Sequence, residues 1–244
     1  MNKTIAFLSV SLIILVNTSI LRAQKTITFP SKDGILITAD LYFISDTLPY
    51  MILCHQADYS RAEYKETAPK FTKFGYNCIA VDLRSGGTTN DIPNETAFAA
   101  KAQNKPTTYL DAEQDIIAAI DYAFALNKKK VVLVGSSYSA SLAMKIGAVN
   151  TKVKFVIAFS PGEYFGEQLN LKKSIALYDK PLFVTSSQGG AEVLSKLIKD
   201  VKSKKKQQFI PTDKGRHGSS ALWTTNPGYH EYWLALTLFI RSVK

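Results

Sequence analysis

Polar and apolar residues alternate over 25–29 and again over 35–43, with Ser31-Lys32-Asp33-Gly34 between the two stretches. Period-two alternation on either side of a turn sequence predicts an antiparallel hairpin. Beyond it the pattern changes. Residues 51–54, 78–81, 131–134, 155–159 and 182–185 are short continuous apolar runs. Such runs fit strands covered on both faces, as in parallel sheets. Residues 208–211 predict one further strand.

Helical stretches separate these runs. Ser60 and Glu63 stand in capping-box spacing before a helix expected over 61–74, which stops at Gly75. Thr108 and Asp111 open a helix over 110–126 in the related spacing, with Ile116, Ile120 and Phe124 on one face. Asn226-Pro227 reads as a cap and first-turn proline for a last helix. Alternation of strands and helices implies an α/β class: a mostly parallel, doubly wound sheet that begins with an antiparallel hairpin. Residues 84–107 hold Gly86, Gly87, Asn90, Pro93, Asn94 and Pro106 and show little periodicity. A loop of that length is expected to be functional or mobile, and to overhang the strand C-termini where ligands bind.

Composition adds limits. The chain has 244 residues, 46% hydrophobic and 20% charged, enough for one domain with a full core. An apolar stretch over 5–16 follows Lys3 and precedes polar residues. It is too short to span a bilayer as a helix, which needs about 20 apolar residues. It predicts a signal peptide over 1–23, cut near Ala23 to leave a domain over 24–244, periplasmic or secreted, with no stable membrane anchor. An uncleaved anchor is the alternative. The formal net charge is +10, with lysines crowded at 128–130 and 196–206. No aromatic or glycine residues interleave them, so they read as solvated faces and not as a nucleic-acid surface. Cys54 and Cys78 fall at opposite ends of their strands and predict two buried free thiols. Neither has metal-site spacing, and no metal is expected.

The chemistry concentrates where 131–134 run into Gly135-Ser136-Ser137-Tyr138-Ser139 and a helix rich in small residues. Strand, tight turn and helix give the G-x-S-x-G pattern its meaning. The turn holds the middle serine above the sheet at a helix N-terminus, where negative charge is favoured. That serine is Ser137; Ser139 replaces the second glycine. A serine-rich helix cap is the plainer reading. Of three histidines, His217 follows the last strand in Gly215-Arg216-His217-Gly218. It is the expected general base, because serine, acid and histidine follow in that chain order in such hydrolases. His230 reads as structural. Backbone donors of an oxyanion hole are expected from Tyr138 and from Gln56 or Ala57, after His55. The loop after 182–185 has no aspartate. Glu192 is its carboxylate and the first choice for the acid; Glu163, in Ser160-Pro161-Gly162-Glu163, is the alternative.

With Ser137 in its elbow and His217 before a glycine, the chain resembles the α/β-hydrolase superfamily. More narrowly it resembles the small dienelactone-hydrolase-like or carboxylesterase branch. His55-Gln56-Ala57, Asp82-Leu83-Arg84-Ser85-Gly86-Gly87, Ser160-Pro161-Gly162-Glu163-Tyr164 and His217-Gly218 carry that resemblance, which runs from about residue 25 to the C-terminus. It implies hydrolysis of a small-molecule ester or related acyl substrate, without a cofactor. A non-catalytic binding protein on the same scaffold is the competing expectation. Tyr59, Tyr64, Phe98 and Tyr164 are candidates for the wall of an apolar pocket.

Overall fold

A computed structural model describes residues 24–244. The signal peptide expected over 1–23 lies outside them. The sheet strands are β1 (Lys25–Pro30), β2 (Leu36–Tyr42), β3 (Tyr50–Cys54), β4 (Asn77–Val81), β5 (Val131–Ser136), β6 (Val153–Phe159), β7 (Leu182–Thr185) and β8 (Lys206–Phe209). They form one sheet in the order β1-β2-β4-β3-β5-β6-β7-β8. β2 pairs antiparallel with β1 and with β4; every other pair is parallel.

The helices are α1 (Ala68–Thr72), α2 (Glu95–Ala102), α3 (Glu113–Asn127), α4 (Tyr138–Val149), α5 (Leu171–Ser174), α6 (Ala191–Leu197) and α7 (Tyr229–Val243). Side chains alternate across a strand, and the core divides accordingly. Ile52, Ile79 and Leu133 pack with Ile116 and Ile120 of α3 and Leu142 of α4. Met51, Cys78 and Val132 face the other way, toward Phe71 of α1 and Leu236, Phe239 and Ile240 of α7. Cys54 and Cys78 are buried free thiols, as expected. No helix of the described residues is long and apolar enough to cross a membrane.

Three expectations are corrected. The helix over 61–74 is broken into a 3-10 turn, Arg61–Tyr64, and the short α1. All four turn residues are buried, so their charged side chains must find partners inside. Arg61 pairs with Asp40 at 3.2 Å, Asp82 at 2.6 Å and Glu95 at 3.0 Å. Pro69 then sits in the first turn of α1, where its missing N–H costs nothing.

Residues 84–107 are not a long irregular loop. Thr88–Thr89 pairs with Ile92–Pro93, Asn94 caps α2 by accepting from Ala97 N at 2.8 Å, and Thr96 Oγ1 accepts from Thr38 N at 2.9 Å. The segment is anchored at its root by Arg84, fully buried between Asp115 and Asp33, each at 2.7 Å. A buried cation persists only with such partners. The polar residues that break the sequence periodicity are the ones making these bonds. The last helix starts at Tyr229, not at Pro227, because the Asn226 side chain donates to Ala221 O at 2.7 Å and does not cap.

Candidate active site

β5 passes directly into α4 through Ser137, which stands at φ 59 and ψ −124. A positive φ is costly for a residue with a Cβ and persists only where the surroundings fix it. They do so here. Ser137 N donates to Phe159 O of β6 at 2.8 Å. A Cβ on Gly135 would lie 2.4 Å from Ala140 Cα and 2.6 Å from Ser139 O, so only glycine lets strand and helix meet. Ser139, in place of the pattern's second glycine, reinforces the turn. Its hydroxyl donates to Cys54 O at 2.8 Å and accepts from Ser136 N at 2.9 Å, tying β3 to β5.

His217 reaches this serine from the loop after β8: its Nε2 and Ser137 Oγ are 2.8 Å apart. The loop is held on both sides of the ring. Gly218 N donates to Ser160 Oγ at 3.0 Å, and Ser219 N to Ser136 Oγ at 2.8 Å. Ser160, at the end of β6, is itself at φ 54. Burial lowers the pKa of His217 below the ordinary 6.5, which favours the neutral ring that a general base requires.

The acid does not stand where it was expected. Glu192 lies on the solvent side of α6, its side chain 80% exposed and paired with Lys196 at 2.7 Å. Glu163 turns to the first turn of α5, accepting from Leu171 N at 2.7 Å and Lys172 N at 2.9 Å. Among the described residues no carboxylate pairs with the His217 ring, and none raises its pKa. The structure therefore joins Ser137 to His217 and leaves both candidate acids elsewhere.

The oxyanion donors divide similarly. Tyr138 N is in the first turn of α4, where an N–H has no intrahelical acceptor. Gln56 N is not free: it donates to Glu63 Oε2 at 2.7 Å. The choice of Gln56 is corrected on that ground. The next amide, Ala57 N, has no protein partner among the described residues.

A cavity of about 600 Å³ opens beside His217, walled by Tyr164, Val193, Leu194 and Leu197, with Ser160 and Ser186 at its polar end. Tyr164 donates to Ser160 O at 2.8 Å and lies against the Ser137 hydroxyl. The other aromatic candidates do not line it. Tyr64 is buried and bonded to Cys54 O, Tyr59 stacks on Trp223, and Phe98 faces solvent. Sequence reasoning also missed Glu63, Ser136, Ser160 and Ser219, which hold the site from below.

No protein-family model matches the sequence, and no curated protein is similar to it. Solved structures are similar in shape. The Pyrococcus furiosus esterase Pf2001 superposes with a TM-score of 0.69 at 15% identity, over 90% of each chain. DcsB, solved with a substrate analogue, gives 0.71 at 15% identity, over 91% of this chain and 100% of its own. The dienelactone hydrolase of Anabaena variabilis gives 0.69 at 11% identity, over 90% of this chain and 97% of its own. The chain has the α/β-hydrolase fold. On this fold the strained serine after β5 and the histidine after β8 stand at the same end of the sheet, which is why residues 80 positions apart meet.

Proposed function

We propose that the chain is a serine hydrolase acting on esters or related acyl compounds. The observation that carries this reading is the 2.8 Å contact between His217 Nε2 and the strained Ser137 hydroxyl. In the proposed reaction His217 Nε2 takes the Ser137 proton as Oγ bonds to the acyl carbon. The carbonyl oxygen becomes an oxyanion held by Tyr138 N and Ala57 N, and the imidazolium then protonates the departing alcohol. Water, deprotonated by His217, releases the acid and restores Ser137. The cavity beside His217 suits a substrate with one apolar group of modest size, packed against Tyr164 and Leu194. Without a carboxylate at the ring the pair works as a dyad, so turnover is expected to be slow. Loss of triad function in the acid costs about 10⁴ in kcat elsewhere.

The test is labelling of the purified chain by a fluorophosphonate, with the adduct located by mass spectrometry. Stoichiometric labelling of Ser137, lost in Ser137→Ala, supports the reading. No labelling at neutral pH would favour the second one, a binding protein on a hydrolase scaffold, whose specific support is the missing acid. Export is part of the same proposal, and N-terminal sequencing of secreted or periplasmic material should begin near Gln24.

A further inference from the structure

Glu63 is a fully buried carboxylate that the proposed reaction leaves without a task. No cation pairs with it among the described residues. Three donors hold it instead. Ser136 Oγ and Ser219 Oγ donate to Oε1, each at 2.7 Å, and Gln56 N donates to Oε2 at 2.7 Å. An isolated anion is among the most costly groups to bury, and burial raises the Glu63 pKa above the usual 4.5 while the bonds from Ser219, Ser136 and Gln56 pull it back down.

Its partners belong to three different segments. Ser136 precedes the nucleophile, Ser219 is two residues past the base, and Gln56 precedes the free amide of Ala57. Ser219 N also donates to Ser136 Oγ at 2.8 Å, which closes a ring of bonds between the elbow and the histidine loop. The ring leaves no slack: a Cβ on Gly218 would fall 2.5 Å from Ser136 Oγ and 3.0 Å from Gln56 Oε1. Because Gln56 N is turned inward to Glu63, the next amide is the one left for a ligand.

We propose that Glu63 is a positioning residue that sets the nucleophile elbow, the oxyanion loop and the histidine loop in one register, so that His217 is aimed at Ser137 from below with no acid at its ring. The proposal rests on the reading of Ser137 and His217 as catalytic. It requires a group with two acceptor oxygens, because all three partners donate. A glutamine offers one acceptor. With its oxygen on the hydroxyl pair, its N–H group faces Gln56 N, another donor; with its oxygen on Gln56 N, both hydroxyls lose their shared acceptor and must turn to accept from the amide.

The experiment compares Glu63→Gln, Glu63→Asp and Ser219→Ala with the parent chain on a short-chain aryl ester, with near-UV circular dichroism to follow folding. Glu63→Gln is expected to lower kcat about a hundredfold, the scale of one lost oxyanion donor, with KM within about threefold. Glu63→Asp keeps two acceptor oxygens and should recover part of the rate; Ser219→Ala should cost about tenfold. Full turnover in Glu63→Gln, or an aspartate no better than the glutamine, would overturn the proposal. So would a loss carried by KM alone. If the parent chain hydrolyses nothing and Ser137 does not label, the hydrolase reading has failed and the register is read directly. The His217 ring resonances and their titration by NMR should then still move in Glu63→Gln, and unchanged resonances would refute the positioning role.

Discussion

The turn after β5 and the turn after β7 leave the same end of one sheet, a single strand apart, and are built on opposite principles. After β5 the chain from Gly135 to Ala140 is buried throughout. A strained φ, a glycine with no room for a methyl group and a serine bonded to a neighbouring strand all fix the same atom, Ser137 Oγ. After β7 Gln188 and Gly189 are exposed, and a Cβ on Gly189 would meet nothing within 4 Å. That turn is fastened by main-chain carbonyls of the histidine loop: Gln188 N donates to Lys214 O at 2.9 Å and its side chain to Thr212 O at 3.1 Å. It braces the base without supplying an acid. A nucleophile on an elbow is a property of the backbone, and every nearby residue has to agree with it. An acid needs one side chain of the right length, and here none points in.

Substitution of the two glycines should separate these principles most widely. Gly135→Val drives a branched side chain into backbone atoms of α4 and is expected to cost about 3 kcal/mol or more. Gly189→Ala should stay within about 0.5 kcal/mol. Urea unfolding followed by circular dichroism measures both, and similar losses at the two positions would erase the contrast.

Next in size is the base. His217→Ala is expected to lower kcat/KM for a short-chain aryl ester by about a thousandfold or more. His230, exposed at the start of α7 with its ring against that of Tyr229, should be replaceable by alanine with little change. Equal losses would detach the 2.8 Å contact from catalysis. For the two displaced carboxylates small effects are expected. Glu192→Gln breaks one exposed ion pair, worth under about 1 kcal/mol. Glu163→Gln weakens a helix N-terminus, where its carboxylate is held by Leu171 N and Lys172 N and not by His217. Each should change kcat by less than about fivefold. A hundredfold fall in either would mean that this carboxylate swings to His217 during turnover, and would restore a triad.

Most of the sheet was legible in the sequence because buried strands and the hairpin write their period directly into the apolar pattern. The runs at 51–54, 131–134 and 182–185 became β3, β5 and β7 with ends shifted by at most two residues. Ser137 and His217 were legible for a related reason: one needs a sharp turn and the other the last strand, and both leave marks in order and spacing. Glu63 was not. Its spacing from Ser60 is that of a capping box, and the pair reads as local. In the structure Ser60 accepts weakly from Ala62 N at 3.3 Å and donates to Ile92 O, while Glu63 turns inward to residues 73 and 156 positions away. Residues 84–107 escaped for the same cause. Arg84, Asn94 and Thr96 are polar in sequence and fully committed in space, and no periodicity reports a partner that far along the chain.

The pH dependence offers the finest discrimination between a dyad and a triad. His217 must be neutral to accept the Ser137 proton, so kcat/KM should fall as pH drops through the pKa of the ring. Burial alone shifts that pKa, and shifts it down from 6.5. A carboxylate at the other ring nitrogen would act in the opposite sense, favouring the charged ring and raising the pKa. A dyad therefore keeps its activity at pH values where a triad with an engaged acid has begun to lose it. The expected inflection lies below 6.5 for the parent chain and stays there in Glu192→Gln and Glu163→Gln. His55 bounds the usable range from below. Its ring is buried and neutral, accepting from Leu83 N at 2.9 Å, and burial pulls its pKa down to about 4. The unfolded chain binds that proton near 6.5, so the contribution of His55 to stability declines as pH falls from there toward about 4, opposed by Asp82, whose pKa burial raises to about 6. Rates should accordingly be taken with near-UV circular dichroism at each pH, and the inflection read only where the chain remains folded. An inflection above 7 in the folded protein would place a carboxylate at His217 and count against the dyad.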